Sequence, residues 1–95
     1  NMTGFSTNQM YTPIDFSYPT DGATFVFDKS IPKHVQVIRI QAYGGKINQA
    51  ELFYDGKSQG LATNRFVWQI PLEEGFHSLE IFCADETKKI DYLVQ

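Results

Sequence analysis

The sequence predicts an all-β domain in which two antiparallel sheets pack face to face, a sandwich of about seven strands. Three observations carry that expectation. Apolar and polar residues alternate in short runs, broken by turn residues about every eight to twelve positions. No helix-period pattern persists anywhere. Aromatic residues make up 15% of the chain, and Phe and Tyr fit pleated, half-buried surfaces.

At 95 residues the chain has the size of one domain. Residues 1–12 are polar and aperiodic, and they are expected to form a flexible N-terminal segment or linker. The chain opens on Asn1, as a piece cut from a longer protein would, and Asn1-Met2-Thr3 matches a glycosylation sequon that carries little weight at a chain end. The sandwich is expected over residues 13–95.

The first run, Ile14 to Tyr18, is closed by Pro19-Thr20-Asp21-Gly22, where Pro fixes φ and Gly admits positive φ. Thr24 to Asp28 follows, with Phe25 and Phe27 on one side, until Pro32 interrupts it. Val35 to Tyr43 is the longest run, with Ile38, Ile40 and Ala42 in phase and Gly44-Gly45 at its end. Ala50, Leu52 and Tyr54 share a face, opposite Glu51 and Phe53. Asp55-Gly56 comes next, a strong hairpin signal because both central residues of a type I′ turn need φ > 0. Lys57 to Leu61 pairs back. Then Phe66, Trp68 and Ile70 face one side, and Pro71 to Gly75 turns the chain. His77, Leu79, Ile81 and Cys83 alternate with Ser78, Glu80 and Phe82; after Asp85-Glu86, Ile90, Tyr92 and Val94 close the pattern.

The inward set is expected to be Phe25, Phe27, Ile38, Ile40, Leu52, Tyr54, Trp68, Ile70, Leu79, Ile81, Cys83, Ile90, Tyr92 and Val94. Short connections imply antiparallel neighbours. The pattern describes an immunoglobulin-like antiparallel β-sandwich, and a closed barrel is the alternative it leaves open.

Composition excludes several functions. The formal net charge of −3 and the scattered basic residues argue against a nucleic-acid module. No apolar run approaches the ~20 residues of a membrane span, so no membrane insertion by this domain is expected. The single cysteine, Cys83, cannot form an internal disulfide and reads as a small core hydrophobe.

The search for chemistry is negative. His34 and His77 are far apart in sequence, with no metal-ligand spacing around them. His34 is read as a solvated loop residue and His77 as a hydrogen-bonded structural one. Within one strand Cys83 lies about 20 Å from His77, too far for proton transfer. Glu73-Glu74 and Asp85-Glu86 each supply only two carboxylates, short of a calcium site. No catalytic residue, cofactor or metal is expected. Trp68 is read as the central plug of the core. Turned outwards beside Tyr54 or Phe66, it would instead stack on a sugar ring, and these three aromatics are the candidate binding residues.

The turns are more specific than a generic sandwich. Pro19-Thr20-Asp21-Gly22-Ala23-Thr24-Phe25 resembles the Pro-x-Asp-Gly-x-x-Phe opening of the C-terminal domain of bacterial penicillin-binding proteins of the C type. The order that follows is similar as well: Asp55-Gly56 with Gly60, then Trp68, then Gly75-Phe76-His77, then an acidic turn and a last apolar strand. The chain departs from that family in having Phe53-Tyr54 where a Trp often precedes the Asp-Gly turn, and Asp85-Glu86-Thr87 in place of a final Asp-Gly. The resemblance implies an immunoglobulin-like accessory domain, extracytoplasmic, carried by a peptidoglycan synthase after its glycosyltransferase and transpeptidase domains. Neither Asp28-Lys29-Ser30 nor Glu86-Thr87-Lys88-Lys89 fits the Ser-x-x-Lys and Lys-Thr-Gly motifs of a transpeptidase, so no such motif is expected here. The expected role is positioning or partner binding, with an envelope protein or glycan as partner, by a domain that is monomeric in isolation. The alternative is a carbohydrate-binding module using Tyr54, Phe66 and Trp68.

Overall fold

A computed structural model describes residues 11–95. Most of the expected linker over residues 1–12, with the sequon, lies outside the described residues. The alternating runs form eight strands: β1 (Asp15–Tyr18), β2 (Ala23–Phe25), β3 (Val37–Tyr43), β4 (Gln49–Tyr54), β5 (Lys57–Thr63), β6 (Phe66–Pro71), β7 (Gly75–Cys83) and β8 (Glu86–Val94). They build two sheets, in the orders β1-β3-β6 and β2-β8-β7-β4-β5. The fold is therefore a sandwich and not a barrel.

Pairing is antiparallel with one exception. β2 runs parallel to β8, with Ala23 opposite Tyr92 and Phe25 opposite Val94. The expectation from short connections fails here because β2 and β8 are not joined by a turn. The chain crosses from β1 on one sheet to β2 on the other, and β2 meets the last strand only after the sandwich has closed. Residues Lys33–Val35 form a single 3-10 turn, so the third strand begins at Val37 and not at Val35. Val35 is exposed as a result.

The interior follows from the period of two. Ile38, Ile40, Leu52, Tyr54, Trp68, Ile70, Leu79, Ile81, Cys83, Ile90, Tyr92 and Val94 are all buried, as expected. Phe25 and Phe27 are only partly buried, because they lie at the sheet edge formed by β2 and the residues after it. Phe25 packs edge-on against Tyr92, with ring centroids 5.7 Å apart. Ile14, Ala50, Phe66 and Leu72 join the core although the expected set omits them. Ala50 and Phe66 were in phase with it.

One buried polar residue closes the long loop between β2 and β3. Gln36 accepts a hydrogen bond from Asp28 N–H (2.9 Å) and donates to the carbonyls of Asp28 (2.7 Å) and Ile31 (3.2 Å). Its side chain thus pairs the backbone of a segment that has no sheet partner, as a buried polar group must.

Candidate functional site

The polar residues singled out in the turns converge at one end of the sandwich. Asp55 and Gly56 have φ of 49° and 84°, the left-handed pair that a type I′ hairpin requires. That geometry holds the Asp55 carboxylate against β7. One oxygen accepts from the backbone N–H of Ser78 (2.8 Å), and the other lies 2.7 Å from His77 Nδ1. The other ring nitrogen, Nε2, faces the carbonyl of Glu73 at 2.7 Å. Tyr54 donates to the Glu73 carboxylate. The chain of bonds continues outwards: Ser78 Oγ donates to Asp91 (2.7 Å), and Asp91 N–H donates to Asp21 (2.9 Å). Three separate turns are bound together in this way.

The chemistry of the cluster follows from its partners. Both imidazole nitrogens face acceptors, a carboxylate oxygen and a carbonyl oxygen, and only the doubly protonated ring satisfies both. Burial opposes that charge. The hydrogen bonds to Asp55 and to the Glu73 carbonyl, with the negative charge of both residues, outweigh it and hold the His77 pKa above its ordinary value. An imidazolium with both N–H groups engaged has no lone pair to serve as a base. His77 here is a tie between turns. Burial, then the bond to Glu73, also pushes the Tyr54 phenol up. Burial first raises Tyr92 to about 12, against the opposing effect of the neighbouring Tyr54 hydroxyl; its ring packs 5.5 Å from that of His77, and its hydroxyl has no partner at hydrogen-bond geometry among the described residues.

The other candidates are equally engaged. Cys83 is fully buried, and its thiol donates to the carbonyl of Ile47 (3.4 Å). Its sulfur also fills the space at Gly45, where an added Cβ would come within 2.5 Å of Sγ. Ser30-Ile31-Pro32-Lys33 does carry a Ser-x-x-Lys spacing, against the expectation of none. It lies in the exposed loop before β3, where Ser30 Oγ donates to Asp28 (2.6 Å). His34 is exposed in the 3-10 turn. At the opposite end of the molecule, the Glu86 carboxylate accepts from the backbone N–H groups of Ile14 (3.0 Å) and Lys46 (2.9 Å).

The three aromatics proposed for sugar stacking are buried. Tyr54, Phe66 and Trp68 keep only 6–8% of their surface exposed. Trp68 stacks on Phe66 (centroids 6.4 Å apart, planes at 28°) and donates its indole N–H to the carbonyl of Gly60 at 3.2 Å. Gly60, at φ 95°, lies where the β4–β5 register shifts, and its carbonyl links that sheet to the other. No glycan can reach these ring faces, because the phase that buries Ile70 buries Trp68 and Phe66 with it.

Asp21 with Asp91, Asp55 with His77 and Ser78, and Gly60 with Trp68 thus each make hydrogen bonds that fix the fold. The sequence model of the Penicillin-Binding Protein C-terminus Family matches residues 4–86. The chain belongs to that family. It is an accessory domain of a penicillin-binding-protein type of protein. No curated protein matches the sequence. Among solved structures it is similar to the fibronectin(III)-like modules of CbhA from Clostridium thermocellum, at 15% identity and a TM-score of 0.65, covering 86% of this chain and 95% of that one. It is also similar to part of the FMN-binding beta-glucuronidase from Facaelibacterium prausnitzii L2-6, at 17% identity and a TM-score of 0.61, covering 86% of this chain and 12% of that one. At such identities the likeness is one of fold: a penicillin-binding protein C-terminus domain has a fibronectin(III)-like sandwich.

Proposed function

We infer that this domain is a non-catalytic interaction module of an extracytoplasmic peptidoglycan synthase, which positions its parent enzyme against an envelope protein or glycan. The observation that carries the reading is the engagement of His77. The histidine placed nearest to carboxylate and hydroxyl groups has both nitrogens bound to fixed acceptors, and the groups around it hold turns together. Membership of the penicillin-binding protein C-terminus family supports the accessory role.

The test removes the domain from the parent protein and measures two things. Glycan polymerisation and cross-linking by the purified enzyme on a lipid-linked precursor should continue at a similar rate. Co-sedimentation of the parent with isolated cell walls, or its capture of envelope proteins in cells, should fall severalfold. Hydrolase or transferase activity in the isolated domain would overturn the reading, as would unchanged association after its removal.

A further inference from the structure

We propose that the cleft on the three-stranded sheet, between the end of β3 and the β5–β6 turn, binds a saccharide that bears a carboxylate. The cleft has a volume of about 360 Å³, and Gln41, Tyr43, Asn48, Asn64 and Arg65 contribute to its lining. The inference rests on the reading that the domain works beside peptidoglycan, and it names the ligand and the surface.

Four observations lead to it. The first is the contrast with the polar clusters described above. Around His77, Gln36 and Glu86 the polar side chains are bound into the fold. Among the described residues, the side chains of Gln41, Asn48, Asn64 and Arg65 enter none of its hydrogen bonds or salt bridges. The second is the chemistry of those groups. Three carboxamides each present a donor and an acceptor in one plane, which matches the paired donor and acceptor character of neighbouring sugar hydroxyls and acetamido groups. The Tyr43 ring, 46% exposed, supplies the flat apolar surface that one face of a pyranose needs. The third is charge. Among the described residues, the guanidinium of Arg65 is the one basic group in the cleft lining, and no acid joins it. A planar fork of that kind recognises a carboxylate through two parallel hydrogen bonds. The fourth is rigidity. Asn64 is held at φ 71°, and its N–H donates to the carbonyl of Asn48 (2.9 Å), so the two loops that carry Asn48 and Asn64 are tied together before any ligand arrives. Preorganisation of this kind lowers the entropic cost of binding.

The test is a titration of the 15N-labelled chain, followed by amide chemical shifts. The probe is an N-acetylglucosamine–N-acetylmuramic acid tetrasaccharide with free lactyl carboxylates. Chitotetraose is its uncharged counterpart, and an acidic tetrapeptide is the non-sugar control. The tetrasaccharide should shift the amides of Gln41, Tyr43, Asn64 and Arg65, and chitotetraose should bind about tenfold more weakly for want of the charge-assisted pair. Arg65→Gln should weaken the charged probe by about the same factor and leave chitotetraose unaffected. Asn64→Gly, which keeps the left-handed backbone, should weaken both sugars. Each variant should melt within a degree or two of the parent chain, because the two side chains are exposed.

The proposal fails if the tetrasaccharide causes no shifts, if the shifts fall on another face, if Arg65→Gln leaves its affinity unchanged, or if the acidic tetrapeptide binds equally well. Such a failure, with wall association of the parent still dependent on the domain, would leave the accessory role standing and remove only this ligand.

Discussion

Two tyrosines in the same end of the core have opposite relations to their hydroxyl groups. Tyr54 donates to the carboxylate of Glu73, whereas the Tyr92 hydroxyl is buried with no partner among the described residues. A buried hydroxyl without a partner costs free energy that an apolar atom in its place does not. Tyr92→Phe should therefore be neutral or stabilise the domain by up to about 1 kcal/mol. Tyr54→Phe should destabilise it by about 1–3 kcal/mol, because Glu73 loses its donor in a part-buried site. Urea unfolding of the two variants would separate these outcomes, and equal losses in both would show that the Tyr92 hydroxyl is satisfied in solution. Gly45 makes a similar point about space. Its backbone is left-handed at φ 92° and its missing side chain is occupied by the sulfur of Cys83, so cysteine and glycine here are two halves of one packing decision.

At the scale of elements, β6 shows how alternation becomes structure. Its inward residues Phe66, Trp68 and Ile70 are buried, while Gln69 is exposed between them. The register places Trp68 opposite Ile40 and Ile70 opposite Ile38 on β3. The indole N–H then reaches the Gly60 carbonyl on β5, so one side chain joins the two sheets. Trp68→Ala should cost roughly 3–5 kcal/mol, from lost burial and the cavity left behind. The native fluorescence should be blue-shifted and poorly quenched by acrylamide. A melting curve unmoved by the substitution would mean that the strand faces the other way. On the outer face of the five-stranded sheet the same alternation exposes Phe82 at 41% and sets it edge-on to Phe53, with centroids 5.4 Å apart.

At the scale of the whole molecule, the Asp55–His77 pair makes stability depend on pH. The folded chain holds the His77 proton more tightly than the unfolded chain, whose histidines titrate near ~6.5. The folded state therefore binds more protons above that value, and stability falls as pH rises. The contribution is complete below about pH 6.5 and is lost as pH rises through the higher folded value. The urea midpoint should be higher at pH 6 than at pH 8.5, by an amount that His77→Gln largely removes. A variant with the same pH profile as the parent would sink this account. Because the network links the β4–β5 turn to β7, β8 and the β1–β2 turn, substitutions at Asp55, His77 and Asp91 should not be additive.

The local pattern of side chains was enough to determine the all-β class, the course of most strands, the Asp55-Gly56 hairpin and most of the interior; it favoured a sandwich with Trp68 inside, and left a barrel and an outward Trp68 for the closed structure to decide. The reason is that period-two alternation is a property of neighbouring residues and records directly which face is dry. Everything that depends on which strands lie together had to wait for the closed structure. The parallel pairing of β2 with β8, the bonding of Asp21, Asp91, Ser78, Asp55 and His77 into one network, and the gathering of Gln41, Asn48, Asn64 and Arg65 around one cleft join residues far apart in the chain. No short window of sequence contains such contacts. They are settled when two sheets close over a shared core and bring distant turns to the same end.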